Sequence, residues 1–165
     1  MTPAAESAVL KSAVRLLAAA VAAYNALIYH AHKAAWSFSP DSRYIAYTSN
    51  ETGKPEIYVM AAPPATGKWL ISTDGGGMAA WRGDGRELFY LSEDLKMMTV
   101  DINPGPPFQA STPKFLFQTG VTGMNDARNN YVVNRDGSRF LILSPNSGDA
   151  GALRVIVNWP LLLKN

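Results

Sequence analysis

The sequence predicts a mainly β fold: about three four-stranded antiparallel blades of a partial β-propeller, preceded by an N-terminal α-helix. Three observations predict it. From about residue 35 onward apolar residues alternate with period two, turn-forming clusters interrupt them roughly every ten residues, and one ten-residue pattern recurs at propeller spacing. The chain accordingly divides into residues 1–34 and residues 35–165.

The first region is alanine-rich, and alanine has the best intrinsic helix propensity. Thr2 and Pro3 read as an N-cap followed by proline at the first helical position, where its missing N–H costs nothing. Leu10, Val14, Leu17, Val21, Tyr24 and Ile28 recur at steps of three and four, which lines them along one stripe of a helix over roughly residues 3–31. Such a helix could be a targeting segment, with Lys11 and Arg15 ahead of an apolar core at 16–23, although Glu6 sits among the charges. It could equally pack its stripe on the blades or a partner chain, or lie on a membrane surface. The uncharged run 16–32 is 17 residues long and contains Asn25, His30 and His32, which argues against a span needing about 20 apolar residues. Localisation, cytoplasmic or periplasmic, stays open.

In the second region, alternating or β-rich runs predict strands at 43–48, 56–60, 69–71, 87–91, 97–102, 115–117, 139–143 and 153–159. Asn50-Glu51-Thr52-Gly53, Asp74-Gly75-Gly76-Gly77 and Asn103-Pro104-Gly105-Pro106 supply turn chemistry between them. Prolines stay in these connections, as ladder hydrogen bonding requires.

Three segments superimpose, at residues 38–47, 81–90 and 133–142. Each places an apolar residue three before an aspartate, then Gly or Ser, then a strand; the aspartates fall 43 and 52 residues apart. Asp41, Asp84 and Asp136, with Gly85 and Gly137, are therefore expected to build the tight turn between each innermost strand and its neighbour. The segment Trp36 to Ser49, centred on Ser39-Pro40-Asp41, resembles the repeat of TolB-type β-propellers. Residues 81–92 and the ending Val157-Asn158-Trp159-Pro160-Leu161-Leu162-Leu163-Lys164 are similar to the C-terminal propellers fused to some bacterial serine/threonine kinases. The resemblance covers about residues 35–165. Ser42 stands where the repeat usually has glycine, and Arg82-Gly83 where it usually has Ser-Pro.

The composition is globular, with 47% hydrophobic and 17% charged residues. Net charge is +2, from 15 basic and 13 acidic side chains without a run of like charge, so nucleic acid is not an expected partner. Without cysteine, thiolate chemistry and disulfides are excluded. No Gly-x-Ser-x-Gly elbow occurs, and the glycines at 75–77 sit between strands as a turn rather than as a phosphate cradle. Tyr44, Tyr47, Tyr58, Phe89 and Tyr90 occupy strand positions and are expected in the inter-blade core.

Two candidate sites remain. His30 and His32 are the only histidines; on a helix, residues two apart point in different directions, so they read as a solvated pair, with a residual role in activating water. Asn125, Asp126, Asn129 and Asn130 gather oxygen ligands just ahead of the third inner strand, a donor set suited to calcium. The function expected is thus a partial-propeller binding or interaction module with no catalytic motif of its own. The alternative, by analogy with propeller lactonases, is a calcium-dependent hydrolase of small lactones such as N-acyl homoserine lactones, the ion acting as a Lewis acid. Three blades fall short of the roughly 4–8 of a closed propeller and leave two open apolar faces. The expected cover is a homo-oligomer, a partner protein or the N-terminal helix; the count also fits a portion of a longer propeller gene.

Overall fold

The computed structural model describes residues 36–62, 66–124 and 130–143, with the backbone of 153–157. The expected helix and the whole 1–34 region lie outside the described residues. What is described is antiparallel β-structure in three sheets laid down in chain order.

The first sheet runs β1 (Trp36–Phe38), β2 (Tyr44–Ser49), β3 (Glu56–Ala61) and β4 (Lys68–Leu70), each strand beside its predecessor. The third contains β10 (Tyr131–Val133), β11 (Arg139–Leu143) and β12 (Leu153–Val157), three strands among the described residues. The middle sheet departs from the expected four strands. It holds β5 (Gly77–Trp81), β6 (Glu87–Leu91), β7 (Lys96–Asn103), β8 (Gln109–Ala110) and β9 (Lys114–Gln118). Strand β7 is eight residues long and pairs with β6 along one edge and with two strands along the other: Lys96 to Thr99 pair with β9, while Ile102 and Asn103 pair with β8. Pro104, Pro106, Pro107 and Pro113 lack the N–H a continuous ladder needs, so the chain folds back in two short pieces. Phe108, between them, is buried against the Trp69 and Tyr44 rings, at 4.3 and 4.9 Å between centroids.

Strand parity divides each blade into two faces, because successive side chains point to opposite sides. In the first blade Tyr44, Ala46, Ile57, Val59 and Ala61 share the face toward the second blade. There they meet Leu88, Tyr90, Val100 and Ile102, with Ala79 and Trp81 of β5 packed alongside. The opposite face of the middle blade, carrying Met78, Phe89, Leu91, Met97, Leu116 and Phe117, meets Tyr131, Phe140 and Ile142 of the third. Tyr44, Phe89 and Tyr90 thus lie in the inter-blade cores as expected. Tyr47 and Tyr58 are buried on the other face of the first blade, stacked on each other at 5.8 Å.

Hydrogen bonds between inner strands fix the junctions. The indole N–H of Trp81 donates to the Ser37 carbonyl (3.1 Å), and the Ser37 hydroxyl donates to the Ala79 carbonyl (3.2 Å). At the second junction the Tyr131 hydroxyl donates to the Met78 carbonyl (2.7 Å).

Phe89 and Phe140 are fully buried and meet edge to face at 5.0 Å across the second junction. Phe89→Ala should therefore cost about 3–5 kcal/mol in urea unfolding. Phe115→Ala, at a half-exposed position, should stay within about 0.5 kcal/mol of wild type.

Candidate functional site

The three inner turns share one hydrogen-bond scaffold. In the first, the Ser42 N–H donates to the Ser39 carbonyl (2.8 Å), while Asp41 Oδ1 accepts from the Arg43 N–H (3.1 Å) and the Ser39 hydroxyl (2.7 Å). In the second, Gly85 N–H donates to the Arg82 carbonyl (2.9 Å) and Asp84 Oδ1 accepts from Arg86 N–H (3.0 Å). In the third, Gly137 N–H donates to the Asn134 carbonyl (3.1 Å) and Asp136 Oδ1 accepts from Ser138 N–H (2.8 Å). The residue after each aspartate has positive φ, +58° at Ser42, +71° at Gly85 and +79° at Gly137. Each turn thus needs a short carboxylate and a left-handed residue, which is why Asp-Gly recurs. The structure places Asp41, Asp84, Gly85, Asp136 and Gly137 in these turns.

The second turn differs in its charge. Arg82 donates through Nε and Nη2 to Asp84 (2.8 and 2.7 Å) and through Nη1 to Glu87 (2.8 Å). The bonds from Arg82 hold the Asp84 carboxyl well below the usual carboxylate range, at about 2. The Asp136 carboxyl is lowered by the Ser138 hydroxyl and N–H. At Asp41 burial pushes upward, but the Ser39 and Arg43 hydrogen bonds outweigh it and the carboxyl is lowered.

The second and third turns adjoin. Gly83 N–H donates to the Arg135 carbonyl across the blade boundary (2.8 Å). Around this bond Arg82, Gly83, Asp84, Asn134, Arg135 and Asp136 line an open cleft of about 700 Å³. Arg135 is exposed on its wall.

Sequence reasoning passed over two buried carboxylates. Glu56, at the start of β3, accepts from the Ser72 hydroxyl and from Gly75 N–H (3.1 Å). Glu87, at the start of β6, accepts from the Thr99 hydroxyl (2.6 Å) as well as from Arg82. Their strand-end positions gave no signal beyond a polar residue opening an apolar run. A fourth turn, at Ser92 to Lys96, repeats the serine–aspartate pattern, with Leu95 at φ +62°.

Of the candidate ligands, Asn125, Asp126 and Asn129 lie outside the described residues, as do His30 and His32. Asn130 is described: it is buried, and its amide donates to the Gly123 carbonyl (2.6 Å), tying down the segment that enters β10. Among the described residues, no three His, Cys, Asp or Glu side chains group closely enough to hold a metal, and no helix is long and apolar enough to cross a membrane.

The same architecture occurs in solved structures. TolB from Acinetobacter baumannii superposes with a TM-score of 0.58 over 76% of this chain and 29% of that one, at 16% identity. A putative TolB from Agrobacterium tumefaciens superposes at 0.56 over 74% and 41%, at 18% identity. The fold is that of part of a TolB-like β-propeller. The chain spans less than half the length of either structure. An oligogalacturonate lyase from Vibrio parahaemolyticus superposes at only 0.47, with 15% identity, over 64% of this chain and 27% of that one. No protein-family model and no curated protein matches the sequence.

Two outcomes follow from the turns. Ser42 holds a left-handed conformation that costs a residue with a Cβ about 1–2 kcal/mol. Ser42→Gly should raise stability by about 1 kcal/mol once glycine's greater unfolded-state freedom is deducted, read as a higher urea midpoint. Asp84 has a lowered folded-state pKa, so its contribution is present above the ordinary carboxylate value of 3.8 and is lost as pH falls toward about 2. The pair is half exposed to solvent, so that contribution is about 1 kcal/mol or less. Asp84→Asn should flatten the decline in unfolding free energy between those two pH values, leaving the Asp41 and Asp136 parts of the acid limb intact.

Proposed function

We propose that this TolB-like chain acts as an interaction module, and that the cleft between its second and third inner turns takes a polypeptide segment bearing an acidic side chain. The observation that supports this is where the carboxylates are engaged. Asp41, Asp84, Asp136, Glu56 and Glu87 are each bound by hydroxyls, backbone N–H groups or arginine within the blades. Such carboxylates brace turns and strand ends; a general base or nucleophile must instead reach a substrate.

The cleft has the attributes of a recognition surface. Its walls come from two blades locked by the Gly83–Arg135 backbone bond, so little ordering would be needed on binding. Arg82 is already neutralised by Asp84 and Glu87, whereas exposed Arg135 can offer its planar fork to an incoming carboxylate.

A displayed library of short peptides tests the reading. Enriched peptides should carry Asp or Glu, and Arg135→Glu should weaken them about tenfold, the value of one charge-assisted hydrogen bond. Lys114→Glu, on the far edge of the middle blade, should leave them unchanged. Peptides bound equally well by the Arg135 variant would remove the cleft from consideration. Calcium-dependent turnover of acylated homoserine lactones by the same preparation, abolished by a chelator, would replace this reading with the lactonase one.

A further inference from the structure

The two ends of the blade stack expose complementary apolar surfaces. At the first end Trp36 and Phe38 of β1 are 48% and 47% exposed, in edge-to-face contact at 5.7 Å, and Leu70 of β4 is exposed beside them. Register places all three on one face, because Trp36 pairs with Tyr47, Phe38 with Ile45 and Leu70 with Tyr58. The central residues of that face, Ile45, Tyr47 and Tyr58, are buried, so its open surface is carried by the flanking strands. At the other end Val132 and Leu143 are 54% and 48% exposed, with Leu141 between them. Val132 pairs with Leu141, and Leu141 and Leu143 share strand parity, so these too form one face.

The repeat specifies what belongs on each surface. With the turn aspartates superimposed, Trp36 corresponds to Ala79 and Tyr131, and Phe38 to Trp81 and Val133. At both junctions inside the chain, these positions of a following blade's inner strand pack on the preceding blade. They also bring the aromatic donors, Trp81 to the Ser37 carbonyl and Tyr131 to the Met78 carbonyl. In the first blade the same positions are the exposed Trp36 and Phe38. Conversely, Leu141 and Leu143 correspond to Phe89 and Leu91, the middle-blade residues that receive the third blade. The chain therefore presents one inserting face and one receiving face of the same kind of junction.

We infer that a second copy of this chain covers both: the Trp36/Phe38 face of each copy packs on the Val132/Leu141/Leu143 face of the other. The interface is head-to-tail, and such contacts close into rings when the rotation allows. Counting only the described residues, two copies bring three sheets each, giving six blades, inside the range of about 4–8 that closed propellers occupy; three copies would exceed it. Closure also removes the exposed apolar patches that a lone stack leaves in water.

The junctions supply a geometric test, made clean by the absence of native cysteine. Ser37 and Ala79 touch across the first junction at 3.2 Å, and their counterparts at the inferred one are Val132 and Trp36. A chain carrying Val132→Cys mixed with one carrying Trp36→Cys should form a disulfide-linked heterodimer under mild oxidation. Neither variant alone should cross-link. Sedimentation equilibrium of the full chain should give twice the chain mass. Leu141→Asp should shift it to monomer with an unchanged near-ultraviolet circular dichroism spectrum, while Arg135→Glu should leave it dimeric. A monomer at every concentration, with residues ahead of Trp36 protected from proteolysis, would mean that the chain covers itself and would overturn the inference. A dimer that cross-links Trp36→Cys to itself, or shows no link between the two variants, would overturn it as well.

Discussion

The structure depends on the requirement that a blade in the middle of a stack be apolar on both faces. Strand β6 shows it most plainly: all five residues, Glu87 to Leu91, are buried, with Leu88 and Tyr90 facing the first blade and Phe89 and Leu91 the third. Only a strand covered on both sides tolerates such a run. Strand β11 has an equally apolar sequence after Arg139, yet its burial alternates, because Phe140 and Ile142 meet the middle blade while Leu141 and Leu143 do not. The sequence of β11 is that of a middle strand in an end position. Strands β2 and β3 of the first blade are buried almost as continuously as β6, so among the described central strands it is β11 that leaves one apolar face open.

Stacking of this kind needs the inner strands held in register, and β1 and β10, at three residues each, have little ladder to hold themselves. The turn scaffold supplies what they lack. Each aspartate clamps the N–H that opens the second strand, while the left-handed residue reverses the chain, so strand pairing begins at a fixed residue. The departure at Arg82-Gly83 belongs to the same logic. Pro40 occupies the corresponding place in the first turn, but a proline at 83 would have no N–H for the bond to Arg135. Even an alanine Cβ there would come within 2.7 Å of the Arg135 carbonyl oxygen, so only glycine lets the two turns approach.

Strands β2, β3, β6, β7 and β11 were legible because period-two patterning and β-branched or aromatic residues extend over five residues or more. The inner strands were not: β5 reads Gly-Met-Ala-Ala-Trp and β1 only Trp-Ser-Phe, too short or too small to register as alternation. Their positions followed only from the repeat. Turn aspartates could be read from their spacing, whereas Leu95 in a left-handed conformation could not, since leucine gives no signal for it. The cleft was equally hidden. It joins Arg82 to Arg135 across a blade boundary, a juxtaposition created by stacking and by no local pattern. Asn130 was legible as an oxygen-bearing residue ahead of β10, but the bond from its amide to the Gly123 carbonyl was not, since no local pattern announces it.

Polar and apolar chemistry are thereby separated in space. The turn-bearing end carries charged groups already tied to one another, so its shape is set by bonds within the blades. The sheet faces carry large apolar groups at fixed repeat positions, which suit them to the one kind of surface that repeats the same spacing, another blade. Charge at the turns and hydrophobic area on the faces answer to different variables: the first weakens with acid and salt, the second does not. Turn residues such as Arg135 can therefore change without altering the faces on which the blades pack.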